Sequence, residues 1–94
     1  MKFYNTSFSN PQDTTRPQYE LSGKNIYSTH DNPVQGPRLM PWFKMRGDKI
    51  YTTRHNPQGH TPLPWYSVKK NKVYTTVHNP TGHHAMPVFH LKRQ

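Results

Sequence analysis

The sequence has no cysteine, which excludes a disulfide framework, a thiolate metal site and a cysteine nucleophile. Acidic residues are almost as scarce, with 4 Asp and Glu against 13 Lys and Arg in 94 residues. Four scattered carboxylates offer no paired acid and base, so the chain reads as a non-enzyme. Hydrophobic residues reach only 30% and mean hydropathy is -1.12, too little for a large aliphatic core. No apolar run approaches the roughly 18 residues of a membrane span. The opening "MKFYNTSFSN" lacks the apolar stretch of a signal peptide. A soluble protein of the cytoplasm or another intracellular compartment is therefore expected. Helical periodicity is absent too, and ten prolines leave little room for a helix. No glycine-rich phosphate loop and no G-x-S-x-G motif occurs.

Against these absences stand aromatics, positive charge and repetition. Aromatic residues make up 13%, with six Tyr, four Phe and two Trp, so aromatic packing is expected to replace an aliphatic core. The net charge is +9. A small chain of that charge attracts polyanions, nucleic acid first and acidic protein or anionic membrane surfaces after it. The same charge also serves as a solubilising surface.

The repetition is fourfold within one domain, 1–94, with repeats at 2–23, 24–47, 48–70 and 71–94. "KIYTTRHNPQGHTPLPWY" and "KVYTTVHNPTGHHAMPVF" are the clearest copies. Tyr4, Tyr27, Tyr51 and Tyr74 recur at spacings of 23, 24 and 23, each followed two residues later by Thr. Asn-Pro follows in all four copies, and then Gly36, Gly59 or Gly82 in the last three. Pro-x-aromatic closes each copy, at Pro17/Tyr19, Pro41/Phe43, Pro64/Tyr66 and Pro87/Phe89. The first copy is the most degenerate: it lacks the Gly and carries one extra residue between Thr6 and Asn10.

Short β-branched and aromatic runs such as "KIYTT" and "WYSVK" predict strands of about five residues. The joints between copies, "YELSGKNIY", "FKMRGDKIY" and "YSVKKNKVY", have turn residues at their centres: Ser22-Gly23, Gly47-Asp48 and Lys70-Asn71. Hairpins thus straddle the repeat boundaries, which leaves half a hairpin at each end of the chain. Pairing those halves closes a ring and removes exposed edges. The expected fold is all-β: a closed, pseudo-four-fold ring of short β-hairpins, with the N- and C-terminal strands pairing to close it. This Tyr-x-Thr … Asn-Pro-x-Gly … Pro-x-aromatic unit, read over Lys2 to Arg93, resembles the four-fold β-flower proteins. The resemblance implies a rosette of four hairpin petals and no particular activity.

Period-two alternation groups Phe3, Ile26, Ile50 and Val73 with Leu21, Met45, Val68 and Leu91 as the hairpin core. Tyr4, Tyr27, Tyr51 and Tyr74 are then expected on the opposite face, converging on the axis as a packing ring or as a stacking platform. Basic residues gather at the hairpin tips: Lys2, Lys24, Arg46, Lys49, Lys69, Lys70, Lys72, Lys92 and Arg93. With Trp42 and Trp65 they suit a single-stranded nucleic acid, by counterion release and stacking. His55, His60, His78 and His83 recur around the Asn-Pro turns and could supply four imidazoles to Zn²⁺, or could be polar loop residues. The first two copies carry Ser9, Asp31, Thr14 and Pro37 at those places, so a symmetric site is broken and no cofactor is expected.

Two functions fit. One is a non-catalytic binding or assembly module whose basic face docks on RNA, DNA or an acidic protein partner, within a larger assembly where one exists. The other is a binder of small ligands, glycan or nucleotide, using repeated aromatic and His loop pockets.

Overall fold

Eight runs that alternate inward apolar with outward polar or Tyr residues form eight strands in a computed structural model that describes residues 1–93. Gln94, the end of the fourth repeat, lies outside the described residues. The strands are β1 (Lys2–Asn5), β2 (Pro17–Ser22), β3 (Asn25–Ser28), β4 (Phe43–Arg46), β5 (Lys49–Thr52), β6 (Tyr66–Lys69), β7 (Lys72–Thr75) and β8 (Phe89–Lys92). All neighbours are antiparallel, and β8 pairs back on β1 to close a barrel. Closure leaves no free sheet edge.

Three tight hairpins, β2–β3, β4–β5 and β6–β7, join consecutive repeats across two-residue turns. The turn residues are Gly23-Lys24, Gly47-Asp48 and Lys70-Asn71. The first turn thus lies one residue later than its sequence suggested, because Ser22 still pairs with Asn25. Lys70 and Asn71 both have positive φ, 52° and 64°, as a type I′ turn requires. The fourth petal is built from the chain ends, with Lys2 opposite Lys92 and Phe3 opposite Leu91. Between petals the ladder is shallower: β3 meets β4 only at Asn25/Lys44 and Ile26/Phe43.

The interior has two layers. In one, the expected pairs face each other across the strands: Leu21/Ile26, Met45/Ile50, Val68/Val73 and Leu91/Phe3. In the other, Tyr19, Phe43, Tyr66 and Phe89 form a closed ring of edge-to-face contacts. Successive centroids are 5.5, 5.6, 6.0 and 5.6 Å apart. Each such pair adds about 0.5–1.5 kcal/mol beyond burial. The space left along the axis is about 10 Å³, room for roughly one water molecule and no ligand.

This ring corrects the placing of Tyr4, Tyr27, Tyr51 and Tyr74 on the axis. Ile50 and Thr52 are buried, so strand alternation turns Tyr51 outward, and the same holds for its counterparts. The axial positions go instead to the Pro-x-aromatic residues, two positions before Leu21, Met45, Val68 and Leu91 and so on the same face.

Four long loops, 6–16, 29–42, 53–65 and 76–88, are fastened by one recurring device. The Thr hydroxyl after β3, β5 and β7 donates to the carbonyl of Pro17, Pro41 and Pro64 respectively, and Thr6 donates to Pro87 O at 2.7 Å. Three residues later a buried Asn reaches one carbonyl further: Asn32 Nδ2 to Gln18 O at 3.1 Å, Asn56 to Trp42 O at 3.2 Å, Asn79 to Trp65 O at 3.1 Å. The backbone N–H of Thr29, Thr53 and Thr76 donates to those same three oxygens, so both lone pairs are used. In the first repeat the extra residue moves Asn10 out of register and leaves it exposed. Ser9 stands three residues after Thr6 in its place, and its hydroxyl donates to Val88 O at 2.6 Å.

Candidate functional site

Charge is not spread evenly over this barrel. Ten of the 13 Lys and Arg lie on strands, in tight turns or directly beyond β8, against only Glu20 and Asp48 among the acids. That region therefore carries +8 of the +9. The long loops hold Arg16, Arg38 and Arg54 against Asp13 and Asp31. Two of those arginines are engaged in structure. Arg16 bonds Asp13 at 2.9 Å and lies 3.9 Å from Asp31, and Asp13 raises its pKa. Arg38 donates to the carbonyls of Thr29, Asn32 and Val34 and lies over the Trp42 ring.

At three of the four petal tips the strands place cations directly opposite each other: Arg46/Lys49, Lys69/Lys72 and Lys2/Lys92. Only Ser22/Asn25 is neutral. Like charges opposed across antiparallel strands are destabilising. Lys70 adds a backbone cost. It occupies the left-handed position that glycine fills at Gly23 and Gly47, which costs a side-chain-bearing residue about 1–2 kcal/mol.

The outward tyrosines sit among these cations. Lys92 Nζ lies 5.2 Å from the Tyr4 ring centre, and the Arg46 guanidinium 5.6 Å from that of Tyr51. Lys44 pairs directly across from Tyr51. The tip residues Lys24, Arg46, Lys69, Lys70, Lys72, Lys92 and Arg93 are exposed and Lys49 is half-buried, so the basic surface read from sequence is open to solvent.

Trp42 and Trp65 are not part of it. Both are core residues, 1% and 2% exposed. Trp42 packs on Tyr19, and Trp65 on Phe43. Their indole N–H groups are satisfied by Pro37 O and Thr61 Oγ1. Each loop folds back over its own Trp, which leaves the tyrosines as the aromatic residues of the outer strand faces.

The four loop histidines do not assemble as the sequence allowed. His60 Nδ1 hydrogen-bonds Thr52 Oγ1 at 3.1 Å, and His83 Nδ1 hydrogen-bonds Thr75 O at 3.0 Å. Each thus caps its own strand end. His55 and His78 donate their backbone N–H to Thr53 and Thr76 hydroxyls. Among the described residues no group of three or more His, Asp or Glu side chains converges as metal ligands would.

Sequence reasoning missed Lys44 and Arg54. They join Arg46, Tyr51, His55 and His60 in a cleft of about 580 Å³ along the outer face of β4–β5. Lys44 had a signal, since it stands two residues before Arg46 and shares its face. Arg54 is placed by the continuation of β5, where the Thr53 N–H still bonds Trp42 O at 3.0 Å.

Comparison of the chain with protein-family models, with curated proteins and with solved structures found no match.

Proposed function

We propose that this protein is a four-fold β-flower module, non-catalytic, whose basic petal face docks on single-stranded nucleic acid. The observation that carries this reading is the gathering of +8 onto the strands and tips, with three directly opposed cation pairs. Asp48 lies 3.8 Å from Lys49 and Glu20 stands opposite Lys2, which relieves two of the pairs, but Lys69/Lys72 costs stability in the free protein, and so does Lys70 in a left-handed conformation. A solubilising surface needs neither, since lysines spaced apart serve as well. Counterion release from a phosphate backbone offsets such costs on binding. The outer tyrosines, interleaved with Lys and Arg, supply sequence-tolerant stacking faces.

The test is binding of an oligo(dT) and an RNA of equal length across a salt series. With about five phosphates engaged, log K should fall with log salt at a slope of about −3.5, roughly a hundredfold loss between 50 and 200 mM. Lys70→Gly separates function from architecture. It should stabilise the fold by about 1 kcal/mol while flattening the slope by about 0.7. No binding at 50 mM salt, or a slope unchanged in Lys70→Gly, would overturn the reading.

A further inference from the structure

The clefts on the outer surface differ in one respect that bears on ligand choice. The one between the first and second loops contains Asp13 and Asp31, and the one beside β2 contains Glu20 and Asp31. The cleft along β4–β5 contains no carboxylate. Its charged residues are Lys44, Arg46 and Arg54, joined by His55 and His60 and by neutral Asn and Thr side chains, and its flat wall is Tyr51. A volume of about 580 Å³ is ordinary for a site that takes a small molecule.

These features select among anions. Three cations without an acid favour a dianion such as a phosphoryl group over a neutral sugar, and Arg presents a fork of donors that fits phosphate. The Arg46 guanidinium already lies over Tyr51. A planar guanidinium held on an aromatic ring offers its other face to a further flat ring, as base-stacking surfaces do. A phosphate beside a stacking face is the chemistry of a nucleotide. The equivalent surface of the next petal lacks it: Ser67 stands where Lys44 does, opposite Tyr74, and Val77 where Arg54 does.

We propose that this cleft holds one phosphorylated nucleoside unit, its phosphate on Lys44, Arg46 and Arg54 and its base against the Arg46–Tyr51 pair. The inference rests on the nucleic-acid reading above and makes this petal the specific contact within a general electrostatic face. The unit could belong to a strand or be a free nucleotide.

The full chain, ¹⁵N-labelled, would be titrated with AMP, with a 12-residue oligo(dT) and with an abasic oligomer of the same phosphate number. Amide shifts should centre on residues 44–46, 51–55 and 60–61 for AMP or oligo(dT), and the abasic oligomer should bind at least about fivefold more weakly than oligo(dT). Shifts with AMP assign the site to a free nucleotide as well, and shifts with oligo(dT) alone assign it to a strand. Two triple variants remove equal charge from exposed positions: Lys44→Ala/Arg46→Ala/Arg54→Ala and Lys69→Ala/Lys70→Ala/Lys72→Ala. The first should weaken oligo(dT) binding about tenfold more than the second, with the amide spectrum unchanged in each away from its own substituted positions. Equal weakening by the two triples overturns the cleft and leaves the electrostatic face standing. Absence of binding by every probe overturns both.

Discussion

Replacing Asn79 by Ala tests whether the loop-to-barrel brace stabilises this fold. Asn79 is buried and uses its amide at both ends. Nδ2 donates to Trp65 O at 3.1 Å, and Oδ1 accepts both the Thr81 N–H at 2.9 Å and the Thr81 hydroxyl at 2.6 Å. Truncation removes all three bonds, each worth about 0.5–1.5 kcal/mol net, and leaves the Thr81 donors without their acceptor. The expected loss is about 2–3 kcal/mol. For a domain of this size that lowers Tm by roughly 10–20 °C. Asn79→Asp should be worse at neutral pH, because it keeps the acceptor for Thr81 and turns a carboxylate toward the Trp65 carbonyl. Burial disfavours that charge and raises the new carboxyl's pKa, so the deficit should shrink as pH falls and the acid regains a proton to donate. Asn10→Ala is the matched control. Asn10 is exposed, accepts only from Gln12 N at 3.2 Å, and has ceded the long-range bond to Ser9. It should change stability by less than about 0.5 kcal/mol. Urea unfolding followed by far-ultraviolet circular dichroism reads all three. Equal losses in Asn10→Ala and Asn79→Ala would refute the brace, and so would a fully stable Asn79→Asp at pH 7.

Gly36→Ala should destabilise by about 1–3 kcal/mol through overpacking, since a Cβ there would lie 2.8 Å from Trp42 Cζ2 and 2.9 Å from Pro57 Cγ. Intrinsic Trp fluorescence during urea unfolding would show a lower midpoint, and an unchanged midpoint would mean that the loop yields. Alkaline stability depends on the axial ring. Burial pushes the Tyr19 and Tyr66 hydroxyls above their ordinary value, with the neighbouring Asn32 and Asn79 offsetting part of the shift. A raised folded-state pKa means stability is full below about pH 10 and is lost as pH climbs beyond it. The double variant Tyr19→Phe/Tyr66→Phe should stay folded at higher pH than the parent, as Phe already holds the equivalent positions 43 and 89. Identical loss above pH 10 in parent and double variant would exclude this pair as the cause.

The hairpins were legible because they rest on local signals, and closure because hairpins that straddle the repeat boundaries leave an unpaired half at each end. Turn residues fall at the centre of each inter-repeat joint, and period two then fixes which apolar residues face one another. The faces of Trp42 and Trp65 were not legible. Each precedes a ring aromatic by one residue, so alternation points it outward, and only the return of its own loop buries it. The same non-local return brings His60 into the cleft that Lys44 lines. Gly36 shows how a shared residue can conceal different causes. Gly59 and Gly82 are needed for positive φ, at 115° and 106°. Gly36 comes one residue later after its Asn-Pro and is needed for close approach to Trp42 and Pro57.

The fold makes few demands on its outer face, and that gives the charge pattern its meaning. The interior layers, the Thr–Asn braces and the turns account for the residues common to the repeats, apart from the outer tyrosines. None of them requires the identity of positions 2, 25, 44, 46, 49, 67, 69, 72 or 92. Over those positions the petals diverge in a consistent direction. β2–β3 carries Glu20 against Lys24 and no opposed cation pair, while the other three petals carry opposed cations. The loop after β3 adds Asp31, which Arg16 draws toward the first loop. The potential therefore has a gap at one petal of the ring. On the reading proposed above, a bound strand crosses the arc from β4 through β8 to β1 and leaves β2–β3 uncovered. The large exposed apolar side chains, Phe8, Leu39, Met40, Leu63, Val77 and Met86, all belong to the long loops and none to a strand. Electrostatic and apolar surfaces are thus divided between different elements, so charge on the petals can change without disturbing the loops or the core they cover.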